Sequence, residues 1–222
     1  MPHFRNSLTA ALTLTLAACT GKGGATPSPG PASQGGTPPA AAIVANGGHQ
    51  PFSKADVDFM AGMIGHHAQA VEMAKWAPTH GASQSVQALC ARVAVGQTDE
   101  IHMMQSWLAA RKQEVPPADP RGHVMPSMPG MAPTLMPGML TPAQMAELDR
   151  ARGREFDRLF LTFMIQHHQG AITMVDRLLG TEGALQDDQV YRFASDVHVD
   201  QSTEIARMNL MLDQMAAAKP TP

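Results

Sequence analysis

The chain contains a motif twice, and that repeat limits the possible folds more than any other feature. Asp56-Val-Asp-Phe-Met-Ala-Gly-Met-Ile-Gly-His66-His67 aligns with Asp157-Arg-Leu-Phe-Leu-Thr-Phe-Met-Ile-Gln-His167-His168 at a shift of 101 residues. Ala70 and Met73 then match Ala171 and Met174. Further on, Gln97-Thr-Asp-Glu100-Ile101 matches Gln201-Ser-Thr-Glu204-Ile205, and Met104 matches Met208, at a shift of 104. A repeated supersecondary unit that cannot bury its apolar face alone must bury it against its copy.

The unit is helical. Apolar residues recur at the helical period and strand signals are absent. Ser53 is a capping residue for a helix that runs to Ala77, where Pro78 stops it. A second helix is expected over 83–112. A third starts at Thr141-Pro142-Ala143-Gln144, a capping box with proline at the first helical position. It continues to Leu179, with Gly180 as its stop and Gly153 as a kink or break. A fourth spans 187–218. The expected domain is therefore 52–218, with hairpins at 52–112 and 141–218 and a crossover at 113–140. Short loop, long crossover, short loop predicts an all-α, ferritin-like four-helix bundle, with the 28-residue crossover passing over the bundle end.

Residues 1–18 read as an export signal: Arg5, then an apolar run from Leu8 that is too short to span a bilayer. Leu16-Ala17-Ala18-Cys19 resembles a bacterial lipobox. That resemblance implies cleavage before Cys19, lipidation of its sulfur, and a membrane-anchored protein facing the periplasm or cell exterior. An ordinary secretory signal with a chance cysteine is the alternative. Residues 19–51 are rich in Gly, Pro, Ser, Thr and Ala and suit a flexible tether. With two cysteines, a disulfide framework is excluded. Sixteen basic against nineteen acidic residues give a net charge of −3 and no basic stripe for nucleic acid.

Helical phase places polar residues on the apolar faces. His67, Asp56 and Met63 share one face of the first helix, and His168, Asp157 and Met164 share the equivalent face of the third. His66 and His167 fall at the borders. Glu100 lies in the apolar stripe of the second helix, and Asp200 and Glu204 in that of the fourth. A buried polar layer of His67, His168, Asp56, Glu100, Asp157, Asp200 and Glu204 follows. Each such group costs about 1–3 kcal/mol without a partner, so the members satisfy one another or bind a metal. Adjacent histidines diverge by about 100°, so one pair cannot chelate one ion unless it converges with the other pair or recruits Met63 or Met164. A carboxylate-bridged di-iron centre wants Glu-x-x-His on two helices. The sequence offers only Asp99-x-x-His102, facing outward, and that centre is rejected.

The paired Met-Ile-x-His-His motifs, each followed by a Gln-x-x-Glu-Ile helix, resemble the bacterial "domain of unknown function 305" family across residues 53–216. The resemblance implies a ferritin-like bundle, usually exported, with some members associated with copper. It implies no established enzyme activity.

The crossover is the second unusual feature. Met125, Met128, Met131, Met136 and Met139 fall within fifteen positions, interleaved with four prolines that exclude helix. Thioether sulfur suits Cu(I) and stays uncharged at every relevant pH. Silver is equally soft. A hydrophobic strap is the competing reading of these methionines. Expected metal ligands are thus these five methionines with His66, His67, His167, His168, Met63 and Met164. No nucleophile–base pair or phosphate loop is present, so no enzyme activity is expected. The leading expectation is an anchored extracytoplasmic copper-binding protein that sequesters copper or passes it to a copper-handling partner. The rivals are an interaction module whose His–Glu layer only sets packing and, more weakly, a redox enzyme using bound copper.

Overall fold

The computed structural model describes residues 50–121 and 135–218, and the described residues are helical with no strand. Five helices occur in order: α1 Lys54–Lys75, α2 Gln84–Ala110, α3 Pro142–Arg150, α4 Gly153–Leu179 and α5 Asp188–Ala217. The signal and lipobox (1–18 and Cys19), nearly all of the tether, and Met125, Met128 and Met131 lie outside the described residues.

Local chemistry fixes the helix starts. Ser53 and Asp56 form a capping box at α1, Thr141 and Gln144 form one at α3, and Ser83 and Asp187 cap α2 and α5 through their side chains. The stretch expected as one helix from Thr141 to Leu179 is two. Ala151 and Arg152 are extended and Gly153 has φ +57°. The joint is held from outside: His80 accepts at its carbonyl from the Gly153 amide (2.8 Å) and donates from Nε2 to the Asp149 carbonyl (2.9 Å). A left-handed backbone favours glycine there.

Helix α1 packs on α2 and on α4, and α4 packs on α5. The apolar core divides into two clusters. One joins the second half of α1 to the first halves of α2 and α4, through residues such as Met73, Leu89, Phe156 and Met164. The other joins the first half of α1 to the far halves of α2 and α4 and the start of α5, through Met63, Met104, Val175 and Phe193. The paired histidines sit near the middle of both α1 and α4, and on α4 they lie between the segments that supply the two clusters.

The stretch 135–140 does not pass over a bundle end. It lies along α1 and α4 at mid-height. Gln69 on α1 accepts the Leu140 amide at Oε1 (2.7 Å) and donates to the Leu140 and Pro120 carbonyls (3.2 Å each). Gln166 on α4 donates to the Gly138 carbonyl (3.2 Å). Gly138 (φ +75°) and Gly170 touch backbone to backbone, and a Cβ on Gly170 would collide with the Pro137 carbonyl. The repeat is broken where this strap docks. Gln69 and Gly170 occupy equivalent positions, one supplying a clamp and the other a space.

Candidate metal centre

All four motif histidines are fully buried. His66 and His167 were expected at helix borders. Phase alone puts them there, but the strap covers that border. The His66 and His167 rings meet with centroids 3.9 Å apart at 40°, and each lies more than 6 Å from its neighbour on the same helix. The two motif copies therefore converge through their first histidines.

The second histidines turn toward the outer helices. His67 Nε2 lies 2.7 Å from Glu100 Oε2, and His168 Nε2 lies 2.7 Å from Glu204 Oε2. The two glutamates are only partly buried, with side chains 27% and 26% exposed. They reach inward from α2 and α5 to the imidazoles.

These contacts fix which nitrogens are free. The Pro137 carbonyl can only accept, so His66 donates from Nε2 (3.0 Å), and its Nδ1 keeps a lone pair. That Nδ1 is buried without a partner, as are both ring nitrogens of His167 and Nδ1 of His168. His168 Nε2 hydrogen-bonds Glu204, whereas His67 Nε2 lies at ion-pair distance from Glu100 without a hydrogen bond, so both its ring nitrogens are also unpartnered. An imidazole that gives one N–H to a carbonyl or carboxylate and keeps its other nitrogen bare has the second-shell arrangement typical of a metal ligand. Burial, reinforced by the neighbouring imidazoles, holds His66 far below its ordinary pKa, at about 3, and pushes His167 well down too. Both are neutral at neutral pH, the form that ligates.

Sulfur lies close by. A Cβ on Gly62, one turn before His66, would sit 3.2 Å from Met136 Sδ and 3.7 Å from Met174 Cε. Gly62 thus leaves room for two thioethers beside the His66 face, at the wall of a cavity of about 420 Å³. Met136 immediately precedes the Pro137 whose carbonyl orients His66. The bare glycine could have been noticed in the sequence, but its partner Met136 could not.

Other expected site residues fall elsewhere. Met136 and Met139 are buried, not solvent-facing loop ligands, because the strap inserts them between helices. Met63 and Met164 are fully buried in opposite apolar clusters, one on each side of the layer. Asp56 and Asp157 are buried but do not belong to the layer. Asp56 Oδ1 accepts the Leu185 amide (2.8 Å), and Asp157 accepts the Ser83 amide (3.1 and 3.2 Å). Each carboxylate caps the loop of the opposite hairpin. Asp200 is exposed rather than buried. Gln97 and Gln201 complete the polar layer at equivalent repeat positions; both are buried, and neither Oε1 has a partner. They were legible in the sequence as repeat matches, one turn before Glu100 and Glu204, yet were not assigned to the layer. Among the described residues, no three His, Cys, Asp or Glu side chains form a group able to hold a metal ion. The free donors suit low coordination with mixed nitrogen and sulfur.

The family described as "Domain of unknown function (DUF305)" matches residues 56–212. The chain belongs to this DUF305 family. The fold is similar to a DUF305 protein from Streptomyces coelicolor inferred to be secreted (26% identity, TM-score 0.62, covering 76% of this chain and 98% of that one). It is also similar to a DUF305 fragment from Deinococcus radiodurans (28% identity, TM-score 0.61, 74% and 99% covered). CopM, solved in Cu(II)-bound and Cu(I)-bound forms, matches at 26% and 25% identity with TM-scores of 0.56 and 0.53, covering 72% of this chain and 96% of that one. An Ag-bound form of CopM matches at 25% identity and a TM-score of 0.51, with the same coverage. A comparison with curated proteins finds no match. Among the described residues, no helix is long and apolar enough to cross a membrane.

Proposed function

We propose that this DUF305 protein binds copper, as Cu(I), outside the cytoplasm, and sequesters it or passes it to a partner. The observation that carries the reading is the His66–His167 contact. Two neutral, buried imidazoles meet there with unpartnered nitrogens, one turn from the Met136 and Met174 thioethers. Imidazole and thioether together favour a soft monovalent ion, and a low-coordinate ion needs no third carboxylate or imidazole. Similarity to CopM, whose structures hold Cu(I), Cu(II) and Ag, supports the metal class. Silver would compete for the same donors.

In this reading His66 and His167 are ligands, with Met136 and Met174 as sulfur donors. His67 and His168 are held by Glu100 and Glu204 and keep the layer in register. That part of the layer retains the packing role of the interaction-module alternative. Met125, Met128 and Met131 also capture Cu(I). The four long helices adopt a ferritin-like bundle, Cys19 carries a lipid anchor, and the chain is not an enzyme. It carries its ion as cargo.

The test is an anaerobic Cu(I) titration of the purified protein against a chromogenic chelator. It would be repeated for H66L/H167L and for a variant with Met125, Met128 and Met131 all changed to Ala. The double histidine variant should lose the tightest equivalent, with at least a tenfold weaker Kd, while circular dichroism shows the helices intact. Unchanged affinity in the H66L/H167L protein would remove the bundle from the copper account.

A further inference from the structure

The strap makes the two copies of the motif chemically unequal, and the inequality falls on the first histidines. His66 donates from Nε2 to the Pro137 carbonyl (3.0 Å), whereas neither ring nitrogen of His167 has a hydrogen-bond partner. Which nitrogen of an imidazole carries the proton is set by the bond the ring makes, so the Pro137 carbonyl decides the tautomer of His66. Proline has no amide proton with which to anchor its own segment, so that carbonyl must be held by its neighbours.

The anchors are two glutamines on different helices. Gln69 is 2% exposed, and its amide is fully used. Its N–H groups donate to the Pro120 and Leu140 carbonyls (3.2 Å each), and its oxygen accepts the Leu140 amide (2.7 Å). Gln166 donates to the Gly138 carbonyl (3.2 Å) and accepts from Gln144 (3.0 Å). Neither glutamine recurs in the other copy: Gly65 stands at the position of Gln166, and Gly170 at that of Gln69. Gln69 is the stronger clamp. It also follows His66 by three positions on α1, so ring and clamp share one face of one helix.

We infer that Gln69 is a positioning residue for the metal centre: by clamping Leu140 it keeps the Pro137 carbonyl on His66 Nε2 and leaves Nδ1 as the nitrogen that ligates. The tautomer rests on hydrogen bonding alone, and its use in ligation rests on the copper reading above. An imidazole whose second nitrogen has a fixed acceptor presents one oriented lone pair. Released from that acceptor, the ring puts its proton on either nitrogen, and a molecule protonated at Nδ1 must move that proton before the nitrogen ligates. His167 has no such acceptor and is not preset. One half of the site is therefore arranged before the ion arrives, and the other adjusts to it.

The test is long-range proton–nitrogen NMR at pH 7 on the metal-free full chain, labelled with nitrogen-15 histidine. The His66 signals are assigned by their loss in H66L, and each protein then undergoes the anaerobic Cu(I) titration. Wild type should show one tautomer at His66, protonated at Nε2. Q69L should show averaged nitrogen signals and a Kd for Cu(I) about tenfold weaker, the lower end of what losing a second-shell partner costs a metal ligand. Q166L removes the α4 clamp at a half-buried position and should move the signals the same way, so it carries the test if Q69L fails to fold. R111M, whose native side chain meets Trp107, Asp187 and Gln189, destabilises the protein elsewhere and should leave the His66 signals unchanged. A wild-type ring protonated at Nδ1, an unaltered tautomer in the folded glutamine variants, or the same averaging in R111M overturns the assignment. So does an averaged tautomer with unchanged copper affinity, which would leave Gln69 a packing residue. If wild type takes no Cu(I) while Q69L still averages the tautomer, the copper reading fails and the control of His66 by Gln69 stands.

Discussion

Acid should destabilise this fold through its central histidines, and the size of the effect follows from the burial of one ring. His66 is fully buried and its pKa is lowered to about 3 by desolvation and by the neighbouring His67. In the unfolded chain it titrates near the ordinary value of about 6.5. Between those two values the unfolded state binds more protons, so stability falls as pH drops through about 6.5 and goes on falling until the folded-state pKa is reached. The penalty is absent above the unfolded pKa. At pH 5 the unfolded chain gains about 2 kcal/mol relative to the folded one from His66 alone, at 1.36 kcal/mol per unit. His167 is shifted in the same direction and adds to the loss. The perturbation is H66L/H167L, which removes both rings while keeping an apolar fill. The assay is urea unfolding at pH 7 and pH 5 on metal-free protein. Comparing the pH-dependent change between wild type and variant cancels the surface carboxylates. Wild type should lose at least about 2 kcal/mol more than the variant. Equal losses would refute the claim that these imidazoles are folded only when neutral.

Three further predictions test the surroundings of the site. G170A puts a Cβ against the Pro137 carbonyl, so it should lift the strap and cost about 1–3 kcal/mol, with faster hydrogen exchange at the Leu140 amide. Arg111, at the end of α2, and Asp187, which caps the start of α5, form a buried pair, with Trp107 stacked on the guanidinium. R111M leaves that carboxylate buried and unpaired and should cost about 3–5 kcal/mol by chemical denaturation. Burial raises the Cys90 thiol to about 12, so peptide mapping after iodoacetamide at pH 8 should find Cys90 unmodified in native protein and modified in urea.

The features readable in the sequence are those decided locally or by repetition. Ser53, Ser83, Thr141 and Asp187 announced helix starts because capping is a contact over three residues. The paired motif announced two equivalent hairpins. What the sequence hid was decided by chain segments far apart. The helix break before Gly153 depends on His80, about seventy positions earlier, and no local pattern separates a kink from a break. The burial of His66 and His167 depends on the strap, whose docking relies on Gln69 clamping Leu140. Asp56 and Asp157 have the helical phase of layer members, yet phase carries no axial position. Near the helix starts they meet the opposite hairpin's loop instead of the layer. The methionines show the same limit. Composition gave the soft chemistry, but only packing puts Met136 beside Gly62 and His66 and sends Met63 and Met164 to separate clusters.

X-ray absorption at the copper edge, on protein loaded anaerobically with one equivalent of Cu(I), tests the central claim most directly. The account predicts a first shell of nitrogen and sulfur in wild type, with the imidazole scattering lost in H66L/H167L. A first shell of sulfur alone in wild type, or a spectrum identical in the two proteins, would contradict it.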